Sequence, residues 1–253
     1  MTTFLKNLLT TLACALLAGC ATVPGLGGWR EEVQLHDGRT IVVHRSQTYG
    51  GLHEINQSAP VRSQEIGFTV PETGKRYHFE SEYSEDVGRA NLKIIALHVK
   101  DAIPYLVTTP NLCLAYNKWG RPNPPYVIFR HDGQEWKRIS ISELPPEFKT
   151  INLMVETKNK EPRAGMLGLV STAEVRQANK SLPQKEYKEI LRGAMQETVG
   201  GCSVLIHTND GWEGLMFFKT RGSLEACRDY CRQKTVTNES CPCDALFMGN
   251  GKS

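Results

Sequence analysis

The chain has 253 residues, 40% of them hydrophobic and 23% charged, which excludes a disordered or fibrous protein and is enough for one sizeable core or two small ones. Thirty Lys and Arg against 27 Asp and Glu leave a formal charge of +3, too small and too dispersed for a nucleic-acid-binding field. The unusual number is eight cysteines: an exported protein accounts for them with disulfides, whereas a cytosolic one needs a metal or a redox cycle.

Residues 1–20, MTTFLKNLLTTLACALLAGC, hold a Lys at position 6, an apolar stretch from Leu8 to Ala18 and small residues up to Cys20. That stretch is shorter than the roughly 20 residues a spanning helix needs, so it reads as an export signal. Leu17-Ala18-Gly19-Cys20 resembles the lipobox of bacterial lipoproteins. The resemblance implies that residues 1–19 are removed and that Cys20 carries diacylglycerol. Each acyl methylene buried in a membrane contributes about 0.8 kcal/mol, so no protein segment has to enter the bilayer. Ala21 stands where Asp commonly marks retention in the inner membrane, which implies sorting to the outer membrane with the body facing the periplasm. Residues 20–28 then form the lipidated, Gly-rich tether, followed by a single domain over 29–253 with a split near 160 as the alternative.

Much of the body reads as strands closed by short turns. Asp37-Gly38, Asp132-Gly133 and Asp210-Gly211 each stand between β-rich runs, over 33–44, 126–141 and 203–218, the strongest short hairpin signal. Two further hairpins turn at 72–74 and at 100–102, the second with apolar arms that suggest a central, buried position. Residues 110–126, PNLCLAYNKWGRPNPPY, hold four prolines and one glycine and read as irregular rather than as an element. Residues 156–168 form a polar excursion. Helix is expected between Ser171 and Val199, in two pieces opened by the capping boxes Ser171-x-x-Glu174 and Ser181-x-x-Gln184, with Pro183 in the second first turn. In that second piece Tyr187, Ile190, Leu191, Ala194, Met195 and Val199 recur at helical spacing until Gly200-Gly201. The fold class is therefore α+β: mainly antiparallel hairpins, a short helical segment and a disulfide-clamped C-terminal helix-turn appendage.

Removing Cys14 with the signal and assigning Cys20 to lipid leaves six cysteines for an oxidising compartment. In SLEACRDYCRQ, Cys227 and Cys231 share one face of a short helix capped by Ser223, and Asn238, Ser240 and Pro242 turn the chain back. A nested pairing follows: Cys231 with Cys241 nearest the turn, Cys227 with Cys243 outside it, and Cys113 with Cys202 as a long-range staple. The rival reading of C-x3-C-x9-C-x-C is a four-thiolate zinc site; exported thiols without a reductant tend to pair instead, so no metal or cofactor is expected.

The stretch 110–126 is the candidate binding face. Tyr116, Trp119 and Tyr126 offer flat apolar surfaces and Asn111, Asn117, Lys118, Arg121 and Asn123 directional polar groups, a combination suited to a sugar ring or a partner loop. The alternative is that Tyr116 and Trp119 fold inward and plug the end of a sheet. Glu80, Glu82, Glu85 and Asp86 raise a competing function, a glycan hydrolase with Glu82, Glu85 or Asp86 as acid or base, although alternation puts Glu80 and Glu82 on one solvated face. The seven histidines include no H-x3-H or H-E-x-x-H pair, and Gly251-Lys252-Ser253 lacks the earlier glycine of a phosphate loop. No catalytic residue is assigned. The body resembles uncharacterised envelope lipoproteins of Gram-negative bacteria, a resemblance that brings no mechanism with it; the lipid implies a membrane partner, and the 110–126 face an unidentified envelope protein or glycan. A structural component of an envelope assembly is the third reading, nucleic acid is not an expected partner, and the oligomeric state stays open.

Overall fold

The computed structural model describes residues 28–51, 53, 55–157, 168–196 and 201–248. The lipobox, most of the polar excursion, Val199-Gly200 and the last five residues lie outside the described residues. The strands are β1 (Gly28–Gln34), β2 (Thr40–Tyr49), β3 (Val61–Thr69), β4 (Arg76–Ser81), β5 (Tyr83–Ser84), β6 (Arg89–Ala90), β7 (Leu92–Lys100), β8 (Ile103–Pro110), β9 (Val127–His131), β10 (Trp136–Ile139), β11 (Leu169–Val170), β12 (Leu205–Thr208) and β13 (Gly211–Gly214). The helices are α1 (Leu112–Lys118), α2 (Thr172–Lys180), α3 (Leu215–Lys219), α4 (Leu224–Gln233) and α5 (Cys243–Phe247).

One sheet runs β11-β1-β2-β3-β4 and a second β10-β9-β8-β7, and every pairing in them is antiparallel except the short β1–β11 contact. The two sheets share a core. Val33, Val43, Ile66, Phe68 and Phe79 from the first meet Ile94, Leu97, Val99 and Leu106 from the second. The opposite face of the second sheet is covered by Leu144, Phe148, Ile151, Val155 and Ile190, which pack on Ile95, Tyr105, Val107, Tyr126 and Ile128. Buried on both faces, β7 and β8 read as continuous apolar runs rather than alternating ones. The outer edge of β7 is covered by the chain at 151–155: Leu153 N–H donates to the Ile95 carbonyl (3.1 Å), and the Asn152 amide both accepts from Leu97 N–H and donates to its carbonyl. The Leu97 N–H and carbonyl and the Ile95 carbonyl thereby find partners at the sheet edge.

The Asp-Gly hairpins form at 37, 132 and 210, and the β3–β4 and β7–β8 hairpins form as well. Asp101 and Ala102 both have positive φ, +51° and +58°, the twist that a two-residue hairpin loop requires even though no glycine supplies it. The Ser171 capping box also forms, its hydroxyl accepting from Glu174 N–H while the Glu174 carboxylate accepts from Ser171 N–H (2.8 Å).

Three expectations are corrected. Residues 112–118 are helical, because the prolines of that stretch fall at positions 110, 122, 124 and 125 and spare the segment between them. The second helix, expected from Pro183 onward, is reduced to a 3-10 turn at Lys185–Tyr187, and Ser181 ends α2 instead of opening a helix. Tertiary contacts capture the groups a helix would have used: the Tyr126 hydroxyl lies 3.1 and 3.0 Å from the carbonyls of Glu186 and Glu189 and accepts from Leu191 N–H, and Ile190 N–H donates to the Lys149 carbonyl. Leu215–Phe218, expected as the return strand of the last hairpin, is α3, with Phe218 turned into the C-terminal core.

Residues 201–248 carry a core of their own, in which Phe218, Tyr230 and Val236 surround Cys227, Cys231 and Cys243. The disulfides are Cys113–Cys202, Cys227–Cys243 and Cys231–Cys241, with Cα separations of 5.2, 5.8 and 6.0 Å. These are the expected partners.

Within the second core His98 is fully buried and stacks on Phe148 at 4.6 Å, its Nε2–H donating to the Thr150 carbonyl (3.0 Å). Burial first, then the nearby charges of His36 and Arg192, depress its pKa from 6.5 to about 4. The unfolded chain therefore takes up a proton as pH falls below about 6.5 that the folded chain refuses until about 4. Stability is unaffected above that window and falls through it by roughly 3 kcal/mol. His98→Gln keeps a donor for Thr150 without titrating, so its urea midpoint is expected to change much less than the wild type's between about pH 7.5 and pH 4.5. An equal pH dependence in both proteins would show that His98 is not the group responsible.

Candidate functional site

The candidate site is built where the chain leaves the second sheet. Following β8, Asn111 precedes α1, whose Ala115 and Tyr116 face inward. Gly120 (φ +80°) and Arg121 (φ +54°) then turn the chain back over the helix. The guanidinium of Arg121 lies 4.8 Å over the Tyr116 ring and donates to the carbonyls of Ser203 and Cys202 and to Asn117 Oδ1. Asn117 Oδ1 also accepts from Leu205 N–H (2.9 Å), while its Nδ2 donates to the carbonyls of Cys113 and Ser203. Beside the Cys113–Cys202 disulfide, these bonds fasten the start of β12 to α1. A second joint lies across from them: Trp212 Nε1–H donates to the Asp86 carbonyl (2.8 Å) and Lys118 pairs with the Asp86 carboxylate (2.7 Å).

Between the joints opens a cleft of about 770 Å³. One wall is Asn117, Lys118, Gly120 and Arg121, another is Glu85 and Asp86, and the third is Val204–His207 with Trp212 and Ser240. Its size suits a ring-sized ligand or a short segment of chain. His207 is exposed and packs edge-on against Trp212 at 4.9 Å. Partial burial raises the pKa of Asp86, but hydrogen bonds from Lys118 and Ser84 and the Lys118 charge outweigh it, so the net shift is downward. The carboxylate stays ionised, the opposite of what a general acid for glycoside cleavage requires.

The other expected binding residues do not line this cleft. Asn111 is buried and donates to the Ala90 carbonyl. Asn123 pairs its side-chain amide with the backbone N–H and carbonyl of Met195. Tyr126 is buried, and its burial pushes the phenol pKa upward. Trp119 is half-buried under Arg138 (5.4 Å) and edge-on to Phe129, and its buried Nε1–H finds no acceptor among the described residues. Tyr116 and Trp119 therefore do fold against the sheet, while Asn117, Lys118 and Arg121 face the cleft. Of the acidic stretch, Glu80 and Glu82 point to solvent, Glu80 opposite Glu65 in the β3–β4 ladder, and only Glu85 and Asp86 reach the site.

Sequence reasoning missed the wall from Val204 to Trp212. The signal was present: a staple between Cys113 and Cys202 obliges the hairpin that follows Cys202 to lie beside the segment that follows Cys113. Compared with family models, with curated proteins and with solved structures, the chain matches none.

Proposed function

We propose that this is a lipid-anchored envelope protein, held to the membrane by acyl chains on Cys20, whose body captures an envelope protein or glycan without chemical turnover. The binding site is the cleft between α1, the Glu85-Asp86 turn and the β12–β13 hairpin. The observation that carries the non-catalytic reading over the hydrolase is Asp86. An acid that protonates a leaving oxygen needs a raised pKa, and Lys118 and Ser84 hold this one down. Support for capture comes from the site's composition, since an aromatic pair, His207 and Trp212, stands beside an ionised carboxylate and an ammonium group. The anchor rests on Leu17-Ala18-Gly19-Cys20, and the outer membrane follows from Ala21.

One experiment tests both halves. A photoreactive amino acid replaces His207, cells are irradiated, and the membrane-extracted protein is digested and analysed by mass spectrometry. The expected N-terminal peptide begins at residue 20 with acyl chains, and the peptide containing position 207 carries a glycan fragment or an envelope peptide. A free thiol at residue 20, or residues 1–19 still attached, overturns the anchor. A position-207 peptide with no adduct overturns the binding site.

A further inference from the structure

The four C-terminal cysteines do more than form two separate bridges. The Cys243 sulfur lies 3.3 Å from that of Cys241 and 3.6 Å from that of Cys231, and it is bonded to Cys227. The sulfurs of Cys231, Cys241 and Cys243 all fall within 4.8 Å of one another. The two disulfides thus share one knot, enclosed by Phe218, Tyr230 and Val236, with Cys227 and Cys243 fully buried and Cys231 nearly so.

We propose that when these disulfides are reduced, the same four sulfurs form a tetrahedral site for zinc, with Cys227, Cys231, Cys241 and Cys243 as ligands. Thiolates at about 2.3 Å from zinc stand about 3.8 Å apart at tetrahedral angles. Of the non-bonded pairs, Cys241–Cys243 and Cys231–Cys243 already stand within 0.5 Å of that spacing at 3.3 and 3.6 Å, and Cys227, which lies outside the trio within 4.8 Å of one another, has to swing in. The bonded pairs have to separate by a little under 2 Å, shared between two side chains that each rotate about χ1. The ligands come from both sides of the turn at 234–240, two from α4, one from just before α5 and one from its first residue, so one ion closes the loop that the two bridges close.

The module gives this site a purpose. Residues 201–248 bury few apolar side chains, and a chain segment of that size rarely holds its fold without a disulfide or a metal. Disulfides serve where thiols are oxidised, and zinc would serve where they are reduced. A phosphine reductant gives two electrons to each disulfide and leaves as its oxide with oxygen from water, and four thiols lose four protons as one Zn²⁺ binds. This inference does not depend on the anchor or the cleft, and neither is tested by it.

The test uses the whole chain, reduced with a phosphine and titrated with Co²⁺ and then Zn²⁺. The expected result is one metal per chain and the absorption of a tetrahedral tetrathiolate cobalt site. Zinc should also slow alkylation of Cys227, Cys231, Cys241 and Cys243 at least tenfold while Cys113 and Cys202 react freely. Cys241→Ser, at the least buried ligand, should lose the four-sulfur spectrum. If the reduced module unfolds, zinc should restore its far-UV circular dichroism. Octahedral cobalt, alkylation of Cys227, Cys231, Cys241 and Cys243 at the same rate with and without zinc, or a reduced chain whose helix signal zinc does not recover would each overturn the proposal.

Discussion

Arg45→Met is expected to lower the unfolding free energy by about 3–5 kcal/mol, the cost of leaving a buried charge without its partner. Arg45 and Glu31 pair across β1 and β2 with side chains 2% and 0% exposed. Each is fully committed. One Glu31 oxygen accepts from Trp29 Nε1–H and Arg45, and the other accepts from Met154 N–H at 2.6 Å. Arg45 in turn donates to the carbonyls of Met154 and Ile94 and lies 5.1 Å over the Trp29 ring. The pair therefore pins the first sheet to β7 of the second and to the chain at 151–155. Methionine fills much of the volume but supplies no donors, so the Met154 and Ile94 carbonyls lose the Arg45 donors and the buried Glu31 carboxylate, still held by Trp29 and Met154, loses its counter-charge. Glu31→Gln combined with Arg45→Met should recover a large part of the loss, because a neutral pair removes the uncompensated charge. Urea unfolding of the wild type, both single variants and the double variant gives the coupling directly. Additive single effects would mean that the two side chains act independently.

This pair shows what kind of information the sequence holds. Trp29, Glu31 and Val33 alternate inward along β1, as do Ile41, Val43, Arg45 and Gln47 along β2. The pattern places a Glu and an Arg on the core face, but a charged residue in a strand is ordinarily assigned to solvent. Only β7 and the chain at 151–155, which offer the Ile94 and Met154 carbonyls to Arg45 and the Met154 N–H to Glu31, make their burial favourable. Hairpins were legible because Asp-Gly turns are set by local backbone geometry. The helix after Pro183 was misread because its apolar spacing is real while its backbone groups are taken by Tyr126 and Lys149, contacts at separations of 40 to 65 residues or so that no local pattern encodes. The same holds for the site. Residue types in 110–126 pointed to a binding surface, yet Asn111, Asn123 and Tyr126 satisfy backbone groups of other segments. The cleft depends on where the 203–212 hairpin comes to rest.

That resting place makes the Cys113–Cys202 bridge the second large effect. Replacing both cysteines with serine is expected to lower stability by about 4–5 kcal/mol, from the entropy of closing a loop of this length. The bridged residues are 89 apart, against 16 and 10 for the two C-terminal disulfides, so this bridge restricts the unfolded chain most. The loss should come from the unfolded state rather than from the cleft. Arg121 and Asn117 still hold Ser203 and Leu205, and Trp212 still holds the Asp86 carbonyl. Two signatures follow. In urea the double variant should unfold at a lower midpoint with a slightly steeper dependence on denaturant, because an uncrosslinked chain exposes more surface. Under native conditions its near-UV circular dichroism, to which Trp212 contributes, should match the wild type. A native spectrum already altered would place the bridge's main role in seating the hairpin against α1. An unchanged midpoint would mean that the polar joints alone hold the two parts together.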